Sequence, residues 1–408
     1  MKAGSIYKNM LIQKAFKTEL KPNNKQRTFF EKSTGIARFA WNWGLAQRID
    51  LYTKEKKSLS SIDQHKILCT MKKEEFPWMY EVSKLAPHEA LRDLEKAFKN
   101  FFNNKKGFPN FKSKHKSKQS FRMTGDVCYI TKSSIKLPKI GEIRLKEKNY
   151  IPITKCNSVT VSKTADRWFA SVQCEVNISD SPKPETVLGI DLGIKTLATC
   201  SNGQVFKNNK YLSKSKKKLS FLQRNLSRKV NGSRNKLKTI KKVQKINYRI
   251  SCQRKDSIHK MTTILAKTKP RYIVLEDLNV SGMMKNHKLA GVVSDASFYE
   301  IKRQSEYKTK WYGGEIIDVD QWFPSSKICS ICGNIKENLT LKDRIYTCQC
   351  GNKIDRDMNA SINLENYGLS TLSSRGIQAC GESVRLLNHE IEEAVSLKQE
   401  INTASTLW

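Results

Sequence analysis

Four cysteines in two close pairs constrain this chain more than any other feature. Cys329 with Cys332 and Cys348 with Cys350 lie in KICSICGNIKENLTLKDRIYTCQCGNKIDRDMNASINL, from Lys327 to Leu364. A loop of this kind has no core of its own and needs a fastening. C-x2-C matches one half of a zinc ribbon, in which four thiolates close tetrahedrally around one structural Zn2+. The second pair is tighter, C-x-C, with a shorter chelate loop, and no histidine lies in the stretch to substitute. In a reducing compartment such clusters read as metal ligands and not disulfides. Cys69, Cys128, Cys156, Cys174, Cys200 and Cys252 are expected to be ordinary buried thiols, and Cys380 has no assignment.

The formal charge of +37, from 75 Lys plus Arg against 38 Asp plus Glu, exceeds what solubility needs and implies a polyanionic partner, nucleic acid first. An anionic membrane fits less well, because the cations are spread over several segments without a long amphipathic or lipidation signal. No segment approaches the ~20 apolar residues that span a bilayer, and the N-terminus lacks a signal-peptide core. A cytoplasmic protein is expected. Its 408 residues suffice for two to four domains with sizeable cores.

Along the chain, residues 11–20 alternate as one strand before Pro22. From Asn23 to about Phe111 the apolar spacing is helical. Its end, KAFKNFFNNKKGFPNFKSKHKSK, interleaves phenylalanines with lysines. Lys105, Lys106, Phe108 and Phe111 are candidate contacts to unpaired nucleic acid, whereas Phe98, Phe101 and Phe102 are equally well read as helix core. From Ser120 to Ile178 the period becomes two, and a turn around Ala165 and Asp166 predicts a hairpin. A small β-barrel or sheet follows, which the N-terminal strand could join, making the helical module an insertion. SDSPKPETV reads as a linker.

The segment VLGIDLGIKTLATCSNGQVF predicts paired strands with Asp191 in the middle of the first, and RYIVLEDLNV a strand with Glu276 and Asp277 at its C-terminal end. Between them, from Lys207 to Lys260, Asp256 is the only acid. This helical region, which includes Arg224, Arg228 and Lys229, lacks the glutamates of a self-neutralising helix, so phosphate binding is favoured. Residues 295–312 predict a helix capped by Asp295, and GEIIDVDQWF a strand. DRDMNASINLENYG predicts a helix capped by Asp355 or a neighbour, with Met358, Ile362 and Leu364 inward and Gly368 as its stop.

Asp191, Glu276 and one of Asp355 or Asp357 form an acidic triple. Carboxylates on core strands are costly unless a cation compensates them. Two Mg2+ ions ~4 Å apart would do so and would also clamp the attacking and leaving oxygens of a phosphodiester. For any single acid, a cap or salt bridge is the commoner explanation. Asp355 is the better placed to cap, which leaves Asp357 the freer carboxylate.

GIDLGIK (189–195), VLEDLNV (274–280), CSICG (329–333), CQCG (348–351) and DRDMNASINL (355–364) together resemble the TnpB family of transposon-encoded RNA-guided DNA nucleases, related to type V CRISPR effectors. The likeness runs from about residue 11 to 365, through KAFKTELKPN, ARFAWNWGLAQ and LEKAFKNFFNNKKGFPNFK. It departs from the commoner pattern at the C-x-C pair and in the tail. The resemblance implies a multidomain α+β fold. Residues 1–22 would give the N-terminal strand of a wedge β-barrel, 23–118 an inserted helical recognition lobe, and 119–181 the rest of the barrel. A RuvC-like, RNase H-type nuclease domain would occupy 182–326 and 353–367, interrupted by a zinc-ribbon insertion at 327–352. Residues 368–408 would be a tail that need not be ordered.

The same resemblance implies a catalytic, magnesium-binding triad of Asp191, Glu276 and Asp357, the last chosen because D-x-N-A starts there. It implies a monomer with one guide RNA from the transposon end, pairing with double-stranded target DNA, in the cytoplasm at a prokaryotic nucleoid. Lys84 and His88 match positions that face the short motif beside the target. A compact type V CRISPR effector and a non-catalytic zinc-ribbon nucleic-acid-binding protein are the alternatives.

Overall fold

The computed structural model describes residues 10–376 except 105, 115, 126–127, 179–185 and 341–342, with backbone only at 104 and 372–376. Linker residues 179–185 with both prolines, Lys105, Cys380 and the tail from 377 therefore lie outside the described residues, while Thr186 is described and Val187 opens the next strand. The chain divides into two compact units, Met10–Asn177 and the remainder from Ile178 onward.

In the first unit, β1 (Met10–Lys21) is followed by α1 (Asn24–Glu55), α2 (Ser61–Glu74), a 3-10 turn at Pro77–Glu81 and α3 (Leu85–Asn104). α1 starts at a reciprocal cap between Asn23 and Gln26. Six short strands follow: β2 (Ser120–Thr124), β3 (Tyr129–Ile130), β4 (Ser134–Leu137), β5 (Gly141–Leu145), β6 (Cys156–Thr164) and β7 (Arg167–Ile178). The seven-stranded sheet has the order β2-β6-β7-β1-β5-β4-β3, so the N-terminal strand sits in its interior. The hairpin between β6 and β7 turns through Ala165 and Asp166, both with positive φ, as a tight two-residue connection requires. Helices and sheet share one core. Phe30, fully buried on α1, meets Phe121 and Trp168 of the sheet at ring separations of 6.0 and 5.0 Å.

The second unit is built on a five-stranded mixed sheet of β8 (Val187–Asp191), β9 (Thr196–Cys200), β10 (Val205–Lys207), β11 (Tyr272–Glu276) and β12 (Glu315–Val319). Its order is β10-β9-β8-β11-β12, with β8, β11 and β12 parallel. α4 (Tyr211–Ser227) and α5 (Arg234–Lys267) connect β10 to β11. α6 (Val280–Lys285), α7 (His287–Ala296) and α8 (Phe298–Trp311) connect β11 to β12. The small hairpin of β13 (Ile345–Thr347) and β14 (Lys353–Asp355) leads into α9 (Arg356–Gly376).

Strand alternation assigns the two faces of this sheet. Leu188, Ile190, Ile273 and Leu275 pack with residues of α5, α7 and α8, whereas Val187, Tyr272 and Val274 pack with Leu364 of α9. β8 and β11 are buried on both sides and read as continuous apolar runs for that reason.

Several expectations are corrected. Asp191 is the last residue of β8, not its middle, because the tight turn at Gly193 begins at once: a Cβ there would lie 2.8 Å from the Thr196 carbonyl. Asp295 does not cap α8. It belongs to α7, and its carboxylate accepts the backbone N–H groups of Leu212 and Ser213 and pairs with Arg254 at 2.8 Å, so it caps α4 across space. Gly368 does not stop α9, which continues to Gly376; its missing side chain lets the helix settle on Val187 and Val274, whose methyls would lie 2.8 and 2.6 Å from a Cβ. Met358 and Ile362 are only half-buried. Leu364 is buried as expected, and the rest of the inward face of α9 is Asn359, Ala360 and Asn363. Cys69 and Cys252 are exposed, whereas Cys128, Cys156, Cys174 and Cys200 are buried as expected.

Candidate active site and metal centre

Asp191 and Glu276 end adjacent parallel strands, one position beyond the paired residues Ile190 and Leu275. Alternation puts both carboxylates on the face that α9 covers, at the carboxyl ends of the strands, where open α/β sheets bind ligands. Gly189 sets the approach. A Cβ there would lie 2.0 Å from the Ser361 carbonyl, so only glycine lets α9 cross β8 this closely.

Asp355 caps α9: its Oδ1 accepts the backbone N–H of Asp357 at 2.9 Å and of Met358 at 3.1 Å. Asp357, in the first turn, makes a long pair to Arg356 at 3.6 Å and no shorter one among the described residues. Burial, then the charges of Glu276 and Asp357, push the Asp191 carboxyl up to about 8; Arg356 opposes them and Asp355 adds a smaller push. Four acids and one arginine thus share one field. Their mutual repulsion raises Asp191, and a bound cation would relieve it. The acids share this field without converging as a cage, since among the described residues only the cysteine set brings three or more ligand atoms within 4.8 Å of one another.

Two further residues organise the site, and sequence reasoning missed both. Ser325, buried, donates its hydroxyl to Glu276 Oε1, and its carbonyl accepts Asn363 Nδ2 at 2.7 Å. Asn359, fully buried, donates to the Ile328 carbonyl at 2.6 Å and accepts the Ser330 N–H at 3.0 Å. Two asparagines four apart on the inward side of the helix, Asn359 and Asn363, are the signal that could have found Asn359; Ser325 carries no such signal.

The four cysteine sulfurs all lie within 4.8 Å of one another. Cys329 meets Cys350 at 3.7 Å and Cys332 meets Cys348 at 3.5 Å. A tetrahedron with bonds of ~2.3 Å sets sulfurs about 3.8 Å apart, so the cage has the dimensions of a closed thiolate zinc site. Each pair sits on a turn closed by a glycine at positive φ, Gly333 and Gly351. Burial works against the Cys329 thiolate, but hydrogen bonds from Asn352 and from the backbone of Cys332 and Ile331 outweigh it and hold the thiol at about 6. Tyr346, fully buried, is the small core of the knuckle, and its hydroxyl donates to the Lys327 carbonyl at 3.0 Å.

The candidate nucleic-acid contacts are scattered. Arg224 and Arg228 are exposed on and just after α4, with Lys229 half-buried beside them. Lys106, Phe108 and Phe111 are exposed after α3; Phe108 packs edge-on against Phe98 and Phe101. Lys84 is exposed ahead of α3, and His88 meets His65 at a tilt of 54° with ring centroids 4.4 Å apart. Burial lowers His88 below the ordinary histidine range, with Glu89 opposing. Among the described residues no helix is long and apolar enough to cross a membrane.

Three family models match the chain. OrfB_IS605, described as "Probable transposase", covers residues 170–287. A model described as "Cas12f1-like, TNB domain" covers 298–364, and one described as "Helix-turn-helix domain" covers 10–57. In this last span the structure has β1 and the single uninterrupted helix α1. A protein of Streptomyces pristinaespiralis named "Putative RNA-guided DNA endonuclease" is 35% identical over 92% of both chains. "Putative RNA-guided DNA endonuclease InsQ" of Escherichia coli is 33% identical over 95% of this chain and 96% of its own. A cryo-EM structure of a Cas12f1–sgRNA–target DNA complex covers 87% of this chain and 99% of that protein chain, with a TM-score of 0.56 at 15% identity, a likeness of fold.

Proposed function

This chain belongs to the OrfB, or TnpB, family, and from that premise we propose that it is an RNA-guided DNA endonuclease that cuts in a single RuvC-like site. The observation that carries the reading is identity of 35% along 92% of a chain of that name. The mixed sheet would be the RuvC-like core, the seven-stranded sheet the wedge, α1 to α3 the recognition lobe, and the four-cysteine knuckle a zinc ribbon inserted before α9. A guide RNA from the transposon end would pair with the target strand, and the basic helices α4 and α5 offer a cationic surface to the nucleic acid.

In this reading Asp191, Glu276 and Asp357 would hold two Mg2+ ions, which would supply charge stabilisation at the scissile phosphate. The chain's own work is positional. Parallel register aligns the first two acids, Ser325 orients Glu276, and the Asp355 cap leaves the Asp357 carboxylate for the site. Cys329, Cys332, Cys348 and Cys350 would hold one zinc, which would fasten the segment on which Ser330 and Ile328 meet Asn359.

The fold likeness to Cas12f1 favours a second reading, a guide taken from a CRISPR array. Sequencing the RNA that copurifies with the protein tests both. Transposon-end RNA supports the proposal, repeat-derived RNA supports the alternative, and protein that cuts DNA without bound RNA contradicts both.

A further inference from the structure

Two depressions on the Met10–Asn177 unit meet at Arg38. One is a cavity of about 110 Å3 where α1, α3 and β2 approach the loop after Phe111; Arg38, Lys112, Arg122, Asp93, Ser117 and Ser120 are among its walls. The other is a shallow groove of about 550 Å3 formed by Phe39, Trp43, Ala46 and Phe111, with Arg38 and Asn42 at its edge.

The loop is held firmly. Asn42 receives the Lys112 N–H at 2.8 Å and donates to the Lys112 carbonyl at 2.9 Å, and Trp41 Nε1 donates to the Asn110 carbonyl at 3.0 Å. The Lys112 ammonium stands 3.4 Å over the Trp41 ring. Positions of Phe111 and Lys112 are therefore set before any ligand arrives.

The charges in the cavity are unequally matched. Arg122 is already paired with Glu89 at 2.8 Å and Asp93 at 2.6 Å. Among the described residues no carboxylate lies within ion-pair distance of Arg38 or Lys112. Burial pulls Lys112 down to about 8, with the Asp93 carboxylate in the same cavity only partly opposing it. Next to this cationic, hydroxyl-lined hollow, Phe111 is 58% exposed. An anion would account for the cavity alone, and an apolar ligand for the groove alone. A phosphate covalently joined to a flat aromatic group accounts for both, with Arg38 between them.

We propose that Arg38, Lys112, Trp43 and Phe111 form a subsite for one nucleotide turned out of its stack, its phosphate in the cavity and its base against Trp43 and Phe111. The subsite rests on the reading that the chain handles nucleic acid, and does not depend on cleavage.

Ultraviolet crosslinking of the full chain to uridine and thymidine decamers, followed by mass spectrometry of the digest, tests it. The expected result is a nucleotide adduct on Trp43 or Phe111; which decamer gives it tells whether RNA or DNA is the occupant. Arg38→Ala should cut that adduct about ten-fold while adducts elsewhere persist, and Arg38→Lys should restore part of it. Phe111→Ala should weaken decamer binding by about 5- to 150-fold, the range that stacking of one base spans. Adducts absent from both residues, or unchanged in Arg38→Ala, would overturn the subsite. An Asp191→Ala chain must give the same adduct, so a failure of the nuclease reading leaves this result distinct.

Discussion

Asn359 of α9 donates its side-chain amide to the Ile328 carbonyl at 2.6 Å and thereby ties the helix that carries Asp357 to the turn that carries Cys329. The same side chain accepts the Ser330 N–H, so one buried amide closes the cysteine turn and sets the helix start. Asn359→Ala strands the Ser330 N–H in the interior and should destabilise this unit by about 1–3 kcal/mol. Asn359→Asp can still accept from Ser330 but cannot donate to Ile328, so it should fail as a substitute. Urea denaturation of both variants checks this; parent-like midpoints would contradict it.

Zinc removal should act on the acids through the same link. Elemental analysis of active protein should find about one zinc, and Cys332→Ser should lose it. Hydrogen exchange should then quicken in the knuckle and across the first turn of α9 while α1 to α3 remain protected. Full protection of that turn in zinc-free protein would refute the coupling.

Ser325 should matter for metal affinity more than for folding. Its hydroxyl is bonded to Glu276, and removing an outer partner of a metal ligand typically costs 10- to 100-fold in affinity. In Ser325→Ala the Mg2+ concentration for half-maximal cleavage should rise by about that factor, while saturating Mg2+ recovers most activity. An unchanged Mg2+ titration would remove Ser325 from the site.

Asp191 gives a pH dependence of definite sign. Its carboxyl is raised from 3.8 to about 8, so in magnesium-free protein the folded state keeps a proton that the unfolded state has lost. Stability should therefore fall as pH rises from about 4 to about 8, with the full penalty above that window. Asp191→Asn has no such charge. It should match the parent near pH 4 and exceed it near pH 8 by on the order of 1–3 kcal/mol. Urea unfolding of both proteins across that range, without magnesium, reads the difference; a parallel pair of curves would contradict the crowded-acid picture.

What the sequence made legible is where local pattern and tertiary demand agree. The period of two in NSVTVSKTADRWFASVQCEV gave the β6–β7 hairpin, and the Ala165–Asp166 turn fell where it was expected. Glu276 stands at the end of β11 as its flanking residues indicated. The failures share a cause: contacts distant in sequence. Gly368 looks like a stop because glycine is a weak helix former, yet packing on Val187 and Val274 overrides propensity. Asp295 looks like a local cap, but the N–H groups it satisfies lie at Leu212 and Ser213. Asn359 and Asn363 are polar where the helix turns inward, since what they meet is backbone of the cysteine turn.

The central claim is that Asp191, Glu276 and Asp357 form one cutting site, with Asp355 only capping the helix. The direct measurement is Mg2+-dependent cleavage of a guide-matched DNA duplex by ribonucleoproteins carrying Asp191→Ala, Asp357→Ala or Asp355→Asn. The first two should lose at least about a thousand-fold in rate and keep target binding, whereas Asp355→Asn, which still caps, should retain most of the rate. Undiminished cutting by Asp191→Ala, or loss in Asp355→Asn alone, would contradict the account.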